Sequence, residues 1–200
     1  MLSIFVNRFL GILFLLLYSP LIVLIAIWIK FDSTGKIIFS QPRVGQNRKE
    51  FTFYKFRTMW EDADKKYPEL YKYEFSDGEI KNMKFKIEND PRVTKAGRYL
   101  RKTSLDELPN LINVVKGDMN FIGPRPEIPE MIKYYLPWQM DKFSVKPGIT
   151  GLAQINGRGL LTFQETIDYD VMYVNKKNFS LDFYIFWKTT AVVLKSLGAF

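Results

Sequence analysis

From Phe9 to Ile29 the chain carries no charge, reading FLGILFLLLYSPLIVLIAIWI between Arg8 and Lys30. As one helix this run is roughly 31 Å long, enough to cross a hydrocarbon core. It exceeds the apolar region of a secretory signal, and no small-x-small cleavage site follows it. At its centre stands Ser19-Pro20. Pro20 lacks the N–H that would bond the Leu16 carbonyl, and its ring crowds that carbonyl, so a kink is expected. Ser19 is expected to bond back to the Leu15 carbonyl and help satisfy the opened backbone. Two topologies stay open: a kinked single span, or a re-entrant hairpin-like helix that enters and leaves by one face. Lys30, Lys36, Arg43, Arg48 and Lys49 follow the run, while only Arg8 and the amino terminus precede it. That asymmetry puts the C-terminal bulk on the cytoplasmic side.

The remainder, residues 32–200, is long enough for one domain with a real core. Lys and Arg number 29 against 21 Asp and Glu, a formal charge of +8, which suits an anionic partner: nucleic acid, an anionic bilayer face or a phosphorylated metabolite. With no Cys and no His, disulfides, thiolate catalysis, His-based triads and Cys- or His-ligated zinc are excluded. Chemistry is left to carboxylates, Lys, Arg, Tyr, hydroxyls or a hard cation.

Asp32–Gly35 reads as a turn, and Ile37–Ser40 and Phe51–Phe56 as a hairpin around the basic loop Gly45–Lys49. Alternation sends Phe51, Phe53 and Lys55 to one face. The strand end Lys55–Met59 is either a phosphate-holding segment or an ordinary solvated end. Trp60–Glu88 reads as helical pieces broken at Pro68 and at Asp77-Gly78, an adaptable surface or specificity insert with no chemistry of its own. Asn89-Asp90-Pro91 marks a turn. Glu130–Leu136 with Trp138 suits a headgroup region. Leu181–Phe200, with Lys188 and Lys195 on one helical face, is either a partly buried core helix or an in-plane membrane helix. A second span is disfavoured because Lys188 falls near its middle.

Lys102-Thr-Ser-Leu-Asp106-Glu107-Leu-Pro109 places two carboxylates side by side. Ser104 and Glu107 have capping-box spacing, and acidic residues belong in a first turn. Pro109 resists that version unless Asp106 is itself the cap. Downstream, Leu111–Lys116 reads as a helix stopped at Gly117-Asp118. Gly123-Pro-Arg125-Pro126 and Asn156-Gly-Arg158-Gly159 each hold an arginine in stiff backbone, as bidentate phosphate recognition requires. Pro147-Gly148 makes a turn between them.

The order KFRTM (55–59), DPRVT–GRYLRKTSLDELPNLINVVKGDMNFIGPRP (90–126), KPGITGLAQINGR (146–158) and DYDVMYV (168–174) closely resembles the monotopic phosphoglycosyl transferases. These bacterial sugar transferases initiate polysaccharide and glycoconjugate assembly, and the chain looks like their minimal form. The resemblance implies a helix-rich α+β fold: a re-entrant membrane helix (1–31) broken at Ser19-Pro20, then a short β-hairpin and amphipathic interfacial helices around one cytoplasmic-face catalytic domain (32–200). It implies ping-pong transfer with Asp106 as nucleophile on the β-phosphate of a UDP-sugar. UMP leaves, and undecaprenyl phosphate attacks the phosphosugar-aspartyl intermediate. Asp106 and Glu107 are the implied catalytic dyad and Mg²⁺ ligands, with Glu107 the partner that handles the metal or the acceptor phosphate. By motif position Arg101, Arg125, Lys55 and Arg158 are the phosphate-binding candidates. Asp170 is a supporting or metal-linked candidate, or else a buried ion-pair partner of an arginine. Membrane lipid and downstream glycosyltransferases are the expected partners. The competing function is a non-catalytic, membrane-anchored basic scaffold. Nucleic-acid binding is set aside because the basic residues are scattered through Pro- and Gly-rich loops with no recognised module.

Overall fold

The computed structural model describes residues 4–84 and 86–194. Helix α1 (Ile4–Asp32) runs unbroken through Pro20. Ser19 Oγ donates to the Leu16 carbonyl at 2.8 Å, the carbonyl that Pro20 leaves without a donor. The expected bond to Leu15 is therefore replaced by one three residues back, and the helix continues instead of breaking.

Both ends of α1 dock on the same body. Near its start, Asn7 is buried and its Oδ1 accepts the Phe121 N–H at 3.2 Å. Arg8 donates to the Lys116 carbonyl at 2.9 Å, and Phe14 meets Phe121 edge-on. Near its end, Ile25 and Ile29 are buried with Phe56 and Leu100, where each large apolar side chain contributes on the order of 1.5–3 kcal/mol. Asp32 accepts the Ala96 N–H at 3.2 Å. Between these anchors Leu16, Leu17, Tyr18, Ser19 and Pro20 are exposed.

Strands β1 (Ile38–Val44) and β2 (Glu50–Phe56) form the expected antiparallel hairpin, in register from Ile38↔Phe56 to Val44↔Glu50. It is longer than predicted because Pro42 sits in an edge strand, where a missing N–H is tolerated. The next stretch holds α2 (Ala63–Lys66), a 3₁₀ turn at Pro68–Tyr71 and α3 (Asp77–Asn82). Asp77-Gly78 opens α3 and does not break a helix. Ser76 caps it, and the Ser76 N–H donates to the Glu79 carboxylate at 2.9 Å, so the capping box outweighs the turn preference of Asp-Gly.

Helix α4 (Lys95–Thr103) is capped by Thr94, whose hydroxyl accepts the Gly97 N–H at 3.0 Å. Gly97 is where α4 touches the chain leaving β2: a Cβ there would lie 2.0 Å from the Thr58 carbonyl oxygen. Helix α5 (Leu111–Lys116) stops at Gly117, φ +87°, the left-handed cap a glycine supplies without strain. Strand β3 (Asn120–Ile122) pairs in parallel with β4 (Gly148–Thr150), followed by α6 (Leu152–Ile155), α7 (Phe163–Lys176) and α8 (Phe179–Leu194).

The largest apolar cluster joins Val44, Ile128, Met131, Tyr135, Phe143, Phe163, Ile167 and Val171. Tyr135 thus belongs to the core, a correction to the headgroup reading of Glu130–Leu136; Leu136 and Trp138 are the exposed apolar residues there. Helix α8 is a partly buried helix with an exposed aromatic face. Asp182 and Ile185 are buried, while Phe179, Phe183, Phe186 and Trp187 face outward. Lys195 lies outside the described residues.

Candidate active site

The dyad sits on a 3₁₀ turn, Leu105–Asn110, packed between β2 and the C-terminal half of α1. In a 3₁₀ turn residues i and i+3 eclipse, so Leu105 and Leu108 share one side, against the cluster of Ile25, Ile29, Phe56 and Leu100. Asp106 and Glu107 point elsewhere. Ser104 makes the reversal between α4 and this turn in the left-handed conformation, φ 60°. Neither capping alternative forms. The Ser104 hydroxyl accepts from Arg158 Nη2 at 2.6 Å, and the Glu107 carboxylate accepts from Arg125 Nη1 at 2.7 Å. Pro109 is accommodated because the turn never becomes an α-helix.

The two carboxylates are unequal. Burial works against charge on Glu107, but the guanidiniums of Arg125 and Arg158 outweigh it and hold Glu107 below the usual carboxylate range. Asp106 is pushed up by burial and by the neighbouring Glu107 charge, with Lys55, Arg101 and Arg125 opposing. Among the described residues no hydrogen bond or ion pair holds the Asp106 carboxylate. One member of the pair is clamped and the other is open.

Lys55, on β2, is pushed down to about 8 by burial, with Asp106 raising it and Arg101, Arg43 and Arg125 lowering it. Arg101 reaches the site from the last turn of α4. Its Nε donates to Thr58 Oγ1 at 3.0 Å, and its Nη1 lies 4.0 Å from Asp90. Asp90 is in turn gripped by Arg92 at 2.8 Å. Arg158, lowered by burial with Glu107 opposing, leaves a buried Nη1 without a hydrogen-bond partner. Lys55, Arg101, Arg125 and Arg158 thus converge on the dyad from four separate segments.

Two candidate segments go elsewhere. Arg57 is buried and donates to Ser33 and Thr34 carbonyls at 2.7 and 2.6 Å, so it ties the end of α1 to β2 and leaves Lys55 as the site cation of KFRTM. Asp170 is fully buried with Lys142, not an arginine, 3.1 Å from its Oδ2 and out of hydrogen-bond alignment. Burial pushes its carboxyl up to about 6, against Lys142.

Two cations escaped the sequence reading. Arg43 donates to the Pro126 carbonyl at 3.3 Å and is lowered to about 10 by burial and by Arg125. It stands in Pro42-Arg-Val-Gly45, the same Pro/Gly framing that marked Arg125, so the signal was present. Lys86 comes from the stretch credited with no chemistry. Burial, together with Arg158 and Arg125, lowers it to about 8, and Asp106 raises it.

Among the described residues no group of three or more carboxylates forms a cation cage. Mg²⁺ does not require one, since it takes one or two carboxylates and completes its shell with phosphate oxygens and water. An open Asp106 beside a clamped Glu107 fits such a substrate-completed site.

The family profile described as bacterial sugar transferase matches residues 1–196. The chain is 45% identical to the galactosyl transferase CpsE of Streptococcus agalactiae over 82% of its own length and 36% of that protein's. It is 37% identical to the exopolysaccharide production protein ExoY of Rhizobium meliloti over 93% of the chain and 82% of the relative. It is 40% identical to the undecaprenyl-phosphate galactose phosphotransferase of Salmonella typhimurium over 95% of the chain and 40% of the relative. The chain thus spans about four fifths of the short relative and 36–40% of the long ones.

Proposed function

The chain belongs to the bacterial sugar transferase family, and we propose that it moves a sugar-1-phosphate from a UDP-sugar to undecaprenyl phosphate at the cytoplasmic face of the bacterial inner membrane. A carboxylate oxygen of Asp106 attacks the β-phosphorus, the bond to the α-phosphate oxygen breaks, and UMP leaves. An oxygen of undecaprenyl phosphate then attacks the same phosphorus, releasing the Asp106 carboxylate and forming the diphosphate-linked sugar, which passes to downstream glycosyltransferases. The observation that carries this reading is the asymmetry of the dyad. Glu107 is neutralised by Arg125 at 2.7 Å, while Asp106 stands open amid Lys55, Arg101 and Arg125, as an activated carboxylate nucleophile facing an anionic substrate needs. Asp106 and Glu107 would hold Mg²⁺, which would offset negative charge on the diphosphate.

The same turn supports a membrane placement. Leu105, next to the nucleophile, packs on the α1 cluster, so the reacting carboxylate stands beside the membrane element. A re-entrant α1 is supported by its two docked ends and its exposed middle, and an in-plane α8 by its outward aromatic face.

A UDP-sugar panel with Mg²⁺ in nanodiscs, following UMP release and intact mass, tests the chemistry. Without acceptor the wild type should carry a phosphosugar adduct and Asp106→Asn none. UMP release by Asp106→Asn at the wild-type rate refutes the nucleophile. Cysteine labels before Phe9 and after Lys30 should both react from the cytoplasmic side, and an N-terminal label reached only from outside refutes the re-entrant topology.

A further inference from the structure

Helix α4 carries a face that the dyad does not use. Leu100 points into the cluster of Ile25, Ile29 and Phe56, and Ala96 and Gly97 are buried beside it. On the opposite side Lys95, Arg98 and Lys102 fall within roughly 60° of one another at helical spacing, and all three are exposed. Among the described residues none of them has an ion-pair partner. Lys95 stands three places from Arg98 and Arg98 four from Lys102, spacings at which like charges destabilise a helix. Asp32, which reaches α4 from the end of α1, serves the Ala96 N–H at 3.2 Å and pairs with none of the three.

The flank of this basic face is aromatic. Tyr99 meets Trp28 of α1 edge-on, with ring centroids 5.5 Å apart, and both rings are exposed. Trp28 lies two residues before Lys30, the charge that ends the apolar run. Tryptophan and tyrosine in such a position settle at the boundary between hydrocarbon and headgroups. Three unpaired cations beside that pair repel one another until anions cover them, and at that level the anions are lipid phosphates. We propose that Lys95, Arg98 and Lys102, the outer face of α4, dock on the headgroups of anionic phospholipids, with Trp28 and Tyr99 seated at the boundary. This rests on the membrane placement of α1 proposed above, and it adds a lipid preference and the residues that set it.

The test is native mass spectrometry of the full-length protein in detergent, titrated with phosphatidylglycerol or with phosphatidylcholine of the same chains. Each cation near an anionic surface contributes roughly fivefold, so the wild type should prefer phosphatidylglycerol by about 10-fold or more. The triple variant Lys95→Gln, Arg98→Gln, Lys102→Gln should bring that preference within about twofold. Its melting temperature without lipid should equal the wild type's or exceed it, since like-charge neighbours have been removed. The double variant Lys95→Arg, Lys102→Arg should keep the preference. So should Lys49→Gln, Lys72→Gln, Lys81→Gln, which removes the same charge from exposed positions elsewhere. A triple variant that keeps the preference, or that melts well below wild type, overturns the assignment. Equal loss in the arginine variant or in the charge-matched control also overturns it. Free glycerol phosphate binding as tightly as phosphatidylglycerol overturns the lipid as occupant. A wild type with no preference overturns the proposal while leaving the membrane placement standing, because the cysteine labels test that placement separately.

Discussion

Lys142→Met tests whether the buried ion cluster behind Arg125 holds its loop. Lys142 is 3% exposed and stands 3.1 Å from Glu127 and 3.1 Å from Asp170, with the Tyr135 oxygen 2.9 Å from its ammonium. Glu127 follows Arg125 by two residues and exchanges backbone hydrogen bonds with Val44. Methionine keeps the apolar stem and removes the cation shared by two buried carboxylates. Losing one partner of such a pair costs about 3–5 kcal/mol, and one cation serving two anions points to the upper part of that range. Burial has already pushed Asp170 up to about 6 against Lys142. Glu127 is held low because Lys142 and the Tyr135 hydroxyl outweigh its burial. Without Lys142 both carboxyls move up. Their folded values then exceed their unfolded ones, so the folded chain binds more protons, and stability falls as pH rises from the ordinary carboxylate range through 6 and beyond. The deficit against wild type should therefore be larger at pH 8 than at pH 5. At roughly 2–4 °C per kcal/mol for a chain of this size, a loss of about 4–5 kcal/mol is about 8–20 °C at pH 8. Thermal unfolding followed by tryptophan fluorescence in detergent measures it. A deficit under about 2 °C, or one equal at the two pH values, refutes the account.

Gly97→Ala drives a Cβ to 2.0 Å from the Thr58 oxygen, and overpacking of this kind costs about 1–3 kcal/mol or more; Arg101, fixed to Thr58, should be displaced, with the loss read as a lower melting temperature and a raised KM for the UDP-sugar. Asn113 is fully buried, donating to the Thr52 carbonyl at 2.7 Å and accepting the Tyr54 N–H at 3.3 Å. Asn113→Ala leaves two strand groups unsatisfied, at about 1–3 kcal/mol each, and hydrogen exchange at Tyr54 should speed accordingly. Ser19→Ala removes the hydroxyl that serves the Leu16 carbonyl, so α1 should weaken by about 0.5–1.5 kcal/mol, seen as faster exchange confined to its centre.

Local signals in the sequence were read well. The uncharged run became α1, the Gly45–Lys49 loop turned the hairpin, and Gly117 stopped α5, because each depends on neighbouring residues alone. Pairings set by distant chain were not legible. Strands β3 and β4 have three residues each, too few for alternation to register, and they pair across the segment containing Arg125. Ser104-x-x-Glu107 had the spacing of a capping box, yet Arg158 and Arg125 took both side chains. Asp170 carried a motif but no sign of its partner, since Lys142 comes from another turn.

The two-ended docking of α1 also fixes an order of events during synthesis. Arg8 finds its partner at Lys116 and Asn7 at Phe121, 108 and 114 residues later in the chain. At about 5–20 residues per second, α1 has left the ribosome for several seconds before that surface exists. Its apolar length cannot wait in water for so long without becoming a target for aggregation or for chaperones. On the proposed membrane placement, the bilayer is what covers that apolar length before Lys116 and Phe121 emerge to dock it.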